Sequence, residues 1–307
     1  MRRCAIVVFF LLSGPALIAG NGPFEIDELL DGMWLFRVPA DSAEYTNSLV
    51  IERDRGLLVV ESQPSPAAAR RLLEAIGEVS DKPVRFLVFS HPHVESTGGA
   101  SAFPESTLVI AGETTYDALK DETTSLGADI PLRAAAPDSW VAPPRVLPDI
   151  VIVGRLSLTD GPHRVELLTL PRGHYPGSTI VHLPEHEIYY VGAQVTADRN
   201  PYADPEYTDP EGWSAWINSL LFSRPDKVIP IRGKTLDTDA VREFRDLLAW
   251  LLGRVNHALI ERIPEEDIVD FTIESEGFDK HFDVDAKPFF GRGMVQRTLE
   301  ERLDKKR

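Results

Sequence analysis

The sequence predicts an α/β fold in which β-rich segments alternate with amphipathic helices. Three observations predict it. Short apolar or alternating runs, among them Asn47 to Glu52, Gly56 to Val60 and Val84 to Phe89, have strand character. Pro64 to Val79 and Asp239 to Ile263 carry apolar residues at helical spacing. These signals fall into two βα-rich halves, residues 25–140 and 150–263, without an internal repeat. At 307 residues, 43% apolar and 26% charged, the chain has the composition of a globular protein. It is long enough for one large α/β domain or two smaller ones.

Residues 1–20 read as an export signal. Arg2 and Arg3 form a charged start, Cys4 to Leu12 an apolar run, and Ser13-Gly14-Pro15 a break. Ala19 and Gly20 offer a cleavage point, although Leu17 or Ile18 is large for the position three residues before it. The apolar run is short of the roughly 20 residues a membrane span requires. The mature chain is then expected in the periplasm or secreted, with no membrane association. The chain's lone cysteine, Cys4, lies inside this segment. The mature chain would therefore carry no disulfide and no thiolate metal site, and a transition metal would have to rest on imidazole and carboxylate. The formal charge of −16 argues against nucleic acid or an anionic membrane surface as partner. A small molecule is the expected substrate.

The elements follow in order. Met33 to Pro39 begins as a strand. The hairpin Asn47 to Val60 turns at Arg53-Asp54-Arg55-Gly56. The helix Pro64 to Val79 leads through Asp81-Lys82-Pro83 to the buried-type strand Val84 to Phe89. Thr107 to Ala111 is a strand and Glu113 to Lys120 a helix, and the proline-rich Ala134 to Val151 is an irregular connection. Strands resume at Val151 to Leu158, Arg164 to Leu170, Thr179 to Leu183 and Ile188 to Val191. Trp213 to Phe222 is helical, Lys227 to Ile231 a strand, and Asp239 to Ile263 a long helix before a shorter one opened by Pro264. A leader of residues 1–20, a domain over 21–270 and a partly helical extension over 271–307 are the expected divisions, with a charged, frayed end from Thr298.

Chemistry concentrates in Phe89-Ser90-His91-Pro92-His93-Val94-Glu95-Ser96-Thr97-Gly98-Gly99, just past a strand. Two imidazoles two residues apart can supply two ligands of a metal that needs about three and an open position. A third imidazole is available in Gly173-His174-Tyr175-Pro176-Gly177-Ser178, another glycine-flanked loop after a strand. His163, His182, His186, His257 and His281 stand in ordinary contexts and read as surface or core residues. Trp213, Trp216 and Trp250 read as packing. Tyr202 and Tyr207 fall in a polar stretch, 200–212, that either walls a site or covers the fold.

The order of these motifs resembles the metallo-β-lactamase superfamily over residues 27–260. The family's first loop is His-X-His-X-Asp-His with a following glycine pair; here it is His91, His93, Glu95, Ser96 and Gly98-Gly99. Gly173 to Ser178 matches its second loop, Gly192-Ala193 its Gly-Asp, and Ile229-Pro230-Ile231-Arg232-Gly233 its final histidine motif. The resemblance implies an αββα sandwich with metals at one edge, and a metal-dependent hydrolase. It implies that His91, His93 and His174 bind one metal. A second site would lack its ligands: Glu95 replaces an aspartate, Ser96 and Arg232 replace histidines, and Ala193 replaces the bridging aspartate. Ser96 is a poor ligand, Ala193 none, and the permanent charge of Arg232 repels a second cation.

The resemblance therefore implies at most one metal, a zinc held by the three imidazoles, or none. Two functions compete. In the first, the chain is a single-zinc hydrolase of a small ester, lactone, amide, phosphate or sulfate-type substrate. Glu95 then orients water or accepts its proton, and Arg232 and Arg172 bind an anionic group. In the second, it is a binding or accessory protein that keeps the fold without turnover. A β-lactamase is the third reading; the second-site losses count against it, and fold alone does not carry substrate. Glu61, where the family often has aspartate, is expected to hold loops or ligands in place.

Overall fold

A computed structural model describes residues 17–18, 22–124, 126, 141–197, 203, 207–278 and 292–304. Most of the segment read as an export signal, and Tyr202, lie outside the described residues.

Two sheets form the frame. The first contains, side by side, β1 (Leu17–Ile18), β2 (Glu25–Leu30), β3 (Met33–Arg37), β4 (Ser48–Arg53), β5 (Gly56–Val60), β6 (Val84–Val88), β7 (Leu108–Gly112) and β8 (Ile150–Ile152). β1 to β5 pair antiparallel, as hairpins allow, and β5 to β8 pair parallel. Parallel neighbours need crossovers. They are supplied by α1 (Pro66–Ile76) between β5 and β6, the short α2 (Val94–Thr97) between β6 and β7, and α3 (Glu113–Lys120) after β7. Ser65 caps α1 by accepting from Ala68 N, with Pro66 at the first helical position.

The second sheet contains β9 (Arg155–Leu158), β10 (Val165–Thr169), β11 (Thr179–Leu183), β12 (Ile188–Gly192) and β13 (Lys227–Pro230), in spatial order β13-β12-β11-β10-β9. Only β12 and β13 pair parallel, and α4 (Pro210–Phe222) connects them. The chain ends in α5 (Thr238–Ile260), α6 (Ile268–Ile273) and α7 (Arg292–Asp304).

Strand alternation sorts the side chains into layers. Met33 and Leu35 face the second sheet and pack with Leu49, Ile51, Val60, Val165, Leu167, Val181, Tyr190 and Ile229. Trp34, Phe36, Val50 and Val59 face outward onto Ala69, Leu72 and Ile76 of α1. Ile180, Tyr189 and Val191 meet Trp213, Phe244, Leu248, Ile268 and Met294 from the later helices. Helices thus cover both outer faces of two packed sheets, which is the αββα sandwich. Trp213 is fully buried and its indole N–H donates to Gln194 O at 2.7 Å, so Trp213 is a packing residue as expected. Trp213→Ala is expected to destabilise the fold by about 3–5 kcal/mol, which denaturant titration measures.

Three details differ from the sequence reading. Val151 to Leu158 is not one strand. It breaks at Gly154, whose φ of +82° suits glycine, and the chain passes there from β8 in the first sheet to β9 in the second. β2 is additional; its sequence Glu-Ile-Asp-Glu-Leu-Leu lacks clean alternation because it lies near the sheet edge and is largely half-exposed. Thr298 to Asp304 is not frayed: α7 runs through Asp304 and buries Met294, Val295, Thr298 and Leu299. That face is narrow and surrounded by charge, so it shows only when α4, α5 and α6 offer it a partner.

Candidate metal centre

The site lies where strands from both sheets end. β6 buries Leu87 and Val88, and the chain continues through the buried Phe89 to Ser90. The Ser90 carbonyl accepts from Thr179 N at 2.6 Å, joining the loop to β11 in the second sheet. His91 and His93 follow, 1% and 2% exposed, before α2 begins. Gly98 and Gly99 have ordinary helical φ angles, so their role is close approach. A Cβ on Gly98 would stand 2.3 Å from Pro64 O, and one on Gly99 2.0 Å from Ser62 O. That contact seats the loop against residues 61–65. There Glu61 and Gln63 hold φ angles of 70° and 77°, a strained conformation costing about 1–3 kcal/mol each. Gln63 is held by Thr46 and Ser48: its amide donates to Thr46 O at 2.8 Å and Ser48 Oγ at 2.7 Å and accepts from Thr46 N at 2.9 Å.

His174 arrives from the loop after β10 and is 2% exposed. Its backbone N–H donates to Gln194 Oε1 at 3.2 Å, and its carbonyl accepts from Thr208 Oγ1 at 2.8 Å. The Thr208 carbonyl in turn accepts from Arg297 Nε of α7 at 2.7 Å. The His174 ring lies edge-on to Trp213 at 5.6 Å. These far-off partners, Gln194, Thr208 and Arg297, were invisible in the sequence because they act through backbone groups across 20 to 123 residues. Arg297→Ala is expected to weaken metal binding by about 10-fold without changing stoichiometry, since outer partners of a ligand typically contribute 10–100-fold. Competition with a chelator measures it.

The geometry converges. One nitrogen from each of His91, His93 and His174 lies within 4.8 Å of the others. The rings meet edge-on, with centroids 4.7, 5.2 and 5.0 Å apart. His174 Nε2 is 3.3 Å from His93 Nδ1. His91 Nδ1 is 2.8 Å from Ser90 Oγ, while its Nε2 is buried without a hydrogen bond. An orphaned buried imidazole nitrogen converging with two others is what a metal ion would satisfy. Burial, opposed by Glu95 and assisted by His93 and Arg232, pushes His91 down to about 4. The imidazole is therefore neutral and available as a ligand at physiological pH.

Beside the three rings stands a different arrangement. Glu95 Oε1 is 3.4 Å from His91 Nε2, and Glu95 Oε2 is 3.3 Å from Arg232 Nη2. Burial would raise the Glu95 carboxyl, but Arg232, His91 and His93 together hold it well below the usual range. Ser96 turns to the scaffold: its hydroxyl donates to Glu61 Oε2 and accepts from Ser90 N at 3.2 Å. Ala193 is buried between Gly192 and Gln194. Arg172 stands apart; its largely exposed guanidinium pairs with Asp209 at 3.1 Å, and Asp209 is the N-cap of α4. The structure thus brings His91, His93, His174, Glu95 and Arg232 together, with Arg172 at a helix start.

Comparison with known proteins agrees with this layout. The family model of the metallo-beta-lactamase superfamily matches residues 42–231. The chain belongs to this superfamily. It is 20% identical over 263 residues to a linear primary-alkylsulfatase of Pseudomonas sp. (strain ATCC 19151), covering 72% of this chain and 48% of the relative. It is 24% identical over 237 residues to a type 2 metallo-beta-lactamase of Bacillus cereus, covering 74% and 84%. A stereoselective inverting sec-alkylsulfatase from Pseudomonas sp. superposes with a TM-score of 0.65 at 17% identity, over 90% of this chain and 50% of that one. A metallo-beta-lactamase from Pontibacter korlensis superposes with a TM-score of 0.58 at 18% identity, over 74% and 99%. The chain spans about half the length of the alkylsulfatases it matches. No helix among the described residues is long and apolar enough to cross a membrane.

Glu61 has its own pH signature. Burial, partly offset by hydrogen bonds from Ser90 and Ser96, pushes its carboxyl from 4.5 up to about 7. A raised carboxyl contributes stability that is full below the unfolded value and lost as pH rises through the folded one. The depressed His91 contributes the opposite slope below pH 6.5. Glu61→Gln isolates the first. Relative to the parent, the variant is expected to gain stability between pH 4.5 and 7 by on the order of 3 kcal/mol. Denaturant titrations across that range check it; a constant difference would reject it.

Proposed function

We propose that the chain is an exported, single-zinc hydrolase acting on a small anionic ester, with sulfate or phosphate types favoured over lactone, amide or neutral ester. The observation that carries this reading is the convergence of three buried imidazoles beside an arginine, where a second metal's ligand would otherwise stand. His91, His93 and His174 would hold the ion. When bound, zinc supplies Lewis acidity and a water acidic enough to be a nucleophile near neutral pH.

The chain's own groups do the rest. Glu95 stays ionised beside Arg232. A carboxylate so acidic is a weak base, so its first role is to accept a hydrogen bond and orient water. Arg232 presents a planar guanidinium whose Nε is buried and without a hydrogen bond. That fork suits a sulfate, phosphate or carboxylate oxygen. Arg232 remains charged at any working pH, so it can stand in for the charge of a second ion without redox or ligand exchange. Arg172 would add positive charge only if it left Asp209. The alkylsulfatase names among the relatives support the sulfate class, and the N-terminal pattern of residues 1–20 supports export.

A screen of sulfate, phosphate, carboxylic ester, lactone and lactam substrates tests the reading. Glu95→Gln is expected to lower the activity found by about 100-fold. Full activity in that variant would remove Glu95 from the mechanism. The Glu95–Arg232 pair also favours a second reading, a metal-holding accessory protein in which the two side chains serve only each other. Stoichiometric zinc with no turnover across the whole screen would select it. For export, the N-terminal residue of protein recovered from its host is expected near Asn21; an intact Met1 would reject the leader.

A further inference from the structure

We infer that His163 and His186 form a second, exchangeable site for a divalent transition metal, at the end of the sandwich away from the three-imidazole centre. His163 lies in the loop before β10, whereas His174 follows it. His186 lies in the turn before β12, whereas Ala193 follows it. The two sites are therefore separated by the length of these strands.

Three features make this pair more than two surface histidines. The first is tautomer. His163 Nε2 is 2.9 Å from Asp31 O. A carbonyl only accepts, so Nε2 carries the proton and the neutral ring keeps its lone pair on Nδ1. A backbone carbonyl on the far ring nitrogen is the contact that orients metal-binding histidines. The second is geometry. His163 Nδ1 is 3.2 Å from His186 Nε2, with ring centroids 5.1 Å apart at 77°. His93 and His174 at the first centre have a nitrogen separation of 3.3 Å and ring centroids 5.0 Å apart at 90°. Two nitrogens bound at about 2.0–2.1 Å to one tetrahedral ion sit about 3.3 Å apart. The third is anchoring. The buried Arg53 guanidinium donates to His163 O and pairs with Asp160 at 3.1 Å, fixing the loop that carries His163. The neighbouring Arg164 is engaged by Glu166 at 3.1 Å and Glu185 at 3.6 Å, which offsets its charge beside an incoming cation.

His163 and His186 are half-buried beside the exposed Pro162, Arg164 and Glu185, so water can reach the pair and complete the coordination. Two protein ligands give weaker binding than three, and imidazole donors suit zinc, copper and nickel. An ion here would tie the β2–β3 turn of the first sheet to two turns of the second, through Asp31, His163 and His186. The sequence offered no sign of this, since the two histidines are 23 residues apart in separate turns.

The test is a nickel titration of metal-stripped, full-length protein at neutral pH, by calorimetry, with elemental analysis and thermal unfolding alongside. The parent is expected to show two classes of ion per chain. His186→Ala, in a half-exposed turn, should lose the weaker class and keep the tighter one; His163→Asn should do the same. Nickel at the weaker class should raise the thermal midpoint of the parent and not of His186→Ala. A single class in the parent that disappears in His91→Ala/His93→Ala overturns the inference, leaving His163 and His186 a plain hydrogen-bonded pair. A weaker class that survives in His186→Ala also overturns it, and would place the second ion elsewhere. Loss of the tighter class alone would count against the first centre and leave this pair standing.

Discussion

His91→Ala/His93→Ala is expected to abolish the tightly bound ion while leaving the metal-free fold as stable as the parent or more so. The two effects come from the same atoms. The three imidazole nitrogens converge within 4.8 Å, so removing two leaves one ligand and no chelate. Each lost ligand should weaken binding by more than the 10–100-fold that an outer-sphere partner typically contributes. In the metal-free protein, however, His91 Nε2 is buried with no hydrogen bond and only Glu95 Oε1 at 3.4 Å beside it, so alanine relieves part of a desolvation cost of about 1–3 kcal/mol. Elemental analysis with paired denaturant titrations reads both. Native-like zinc in the double variant would show that the ion binds elsewhere. Severe destabilisation of the metal-free variant would show that the imidazoles hold the loop rather than a metal.

Arg232→Ala is expected to have the second-largest effect, on both stability and chemistry. Arg232 and Glu95 are each 15% exposed and meet at 3.3 Å. Losing one partner strands the other charge in a poorly solvated place, a destabilisation of about 2–4 kcal/mol for a pair not wholly buried. Arg232→Lys should recover little, because an ammonium cannot present the planar fork. In a double-mutant cycle with Glu95→Gln, the coupling should exceed about 1 kcal/mol, since residues in direct contact are not additive. Activity distinguishes the two functional readings. A hydrolase using Arg232 for an anionic substrate loses affinity for that substrate first, so KM rises more than kcat falls. An accessory protein shows the stability change alone.

Most of the strands and helices were legible because their signals are local. The continuous apolar run Met33 to Phe36, buried on both faces of its strand, and the helical spacing in α1 and α5 each report burial of a regular element. The break at Gly154 was not legible. A strand that changes sheets has the same alternation on both sides of the break, and only the neighbouring strands reveal the transfer. The burial of α7 escaped for a related reason, although a partly helical extension was expected: Met294, Val295 and Leu299 make a narrow apolar face that becomes a core only against α4, α5 and α6.

The site divides along the same line. The sequence alone determined which groups are available: three imidazoles in two glycine-bearing loops, no thiolate outside Cys4, and the side chains of Glu95, Ser96, Ala193 and Arg232. Side-chain chemistry decides that much, since alanine and arginine cannot ligate wherever they stand. Tertiary structure decided how these groups meet. It set the Glu95 carboxylate between His91 and Arg232, turned Ser96 toward Glu61, sent Arg172 to Asp209, and linked His174 through Thr208 to Arg297. It also faced His163 toward His186. Contacts across 4 to 137 residues depend on where strands end and turns project, and no local periodicity encodes that.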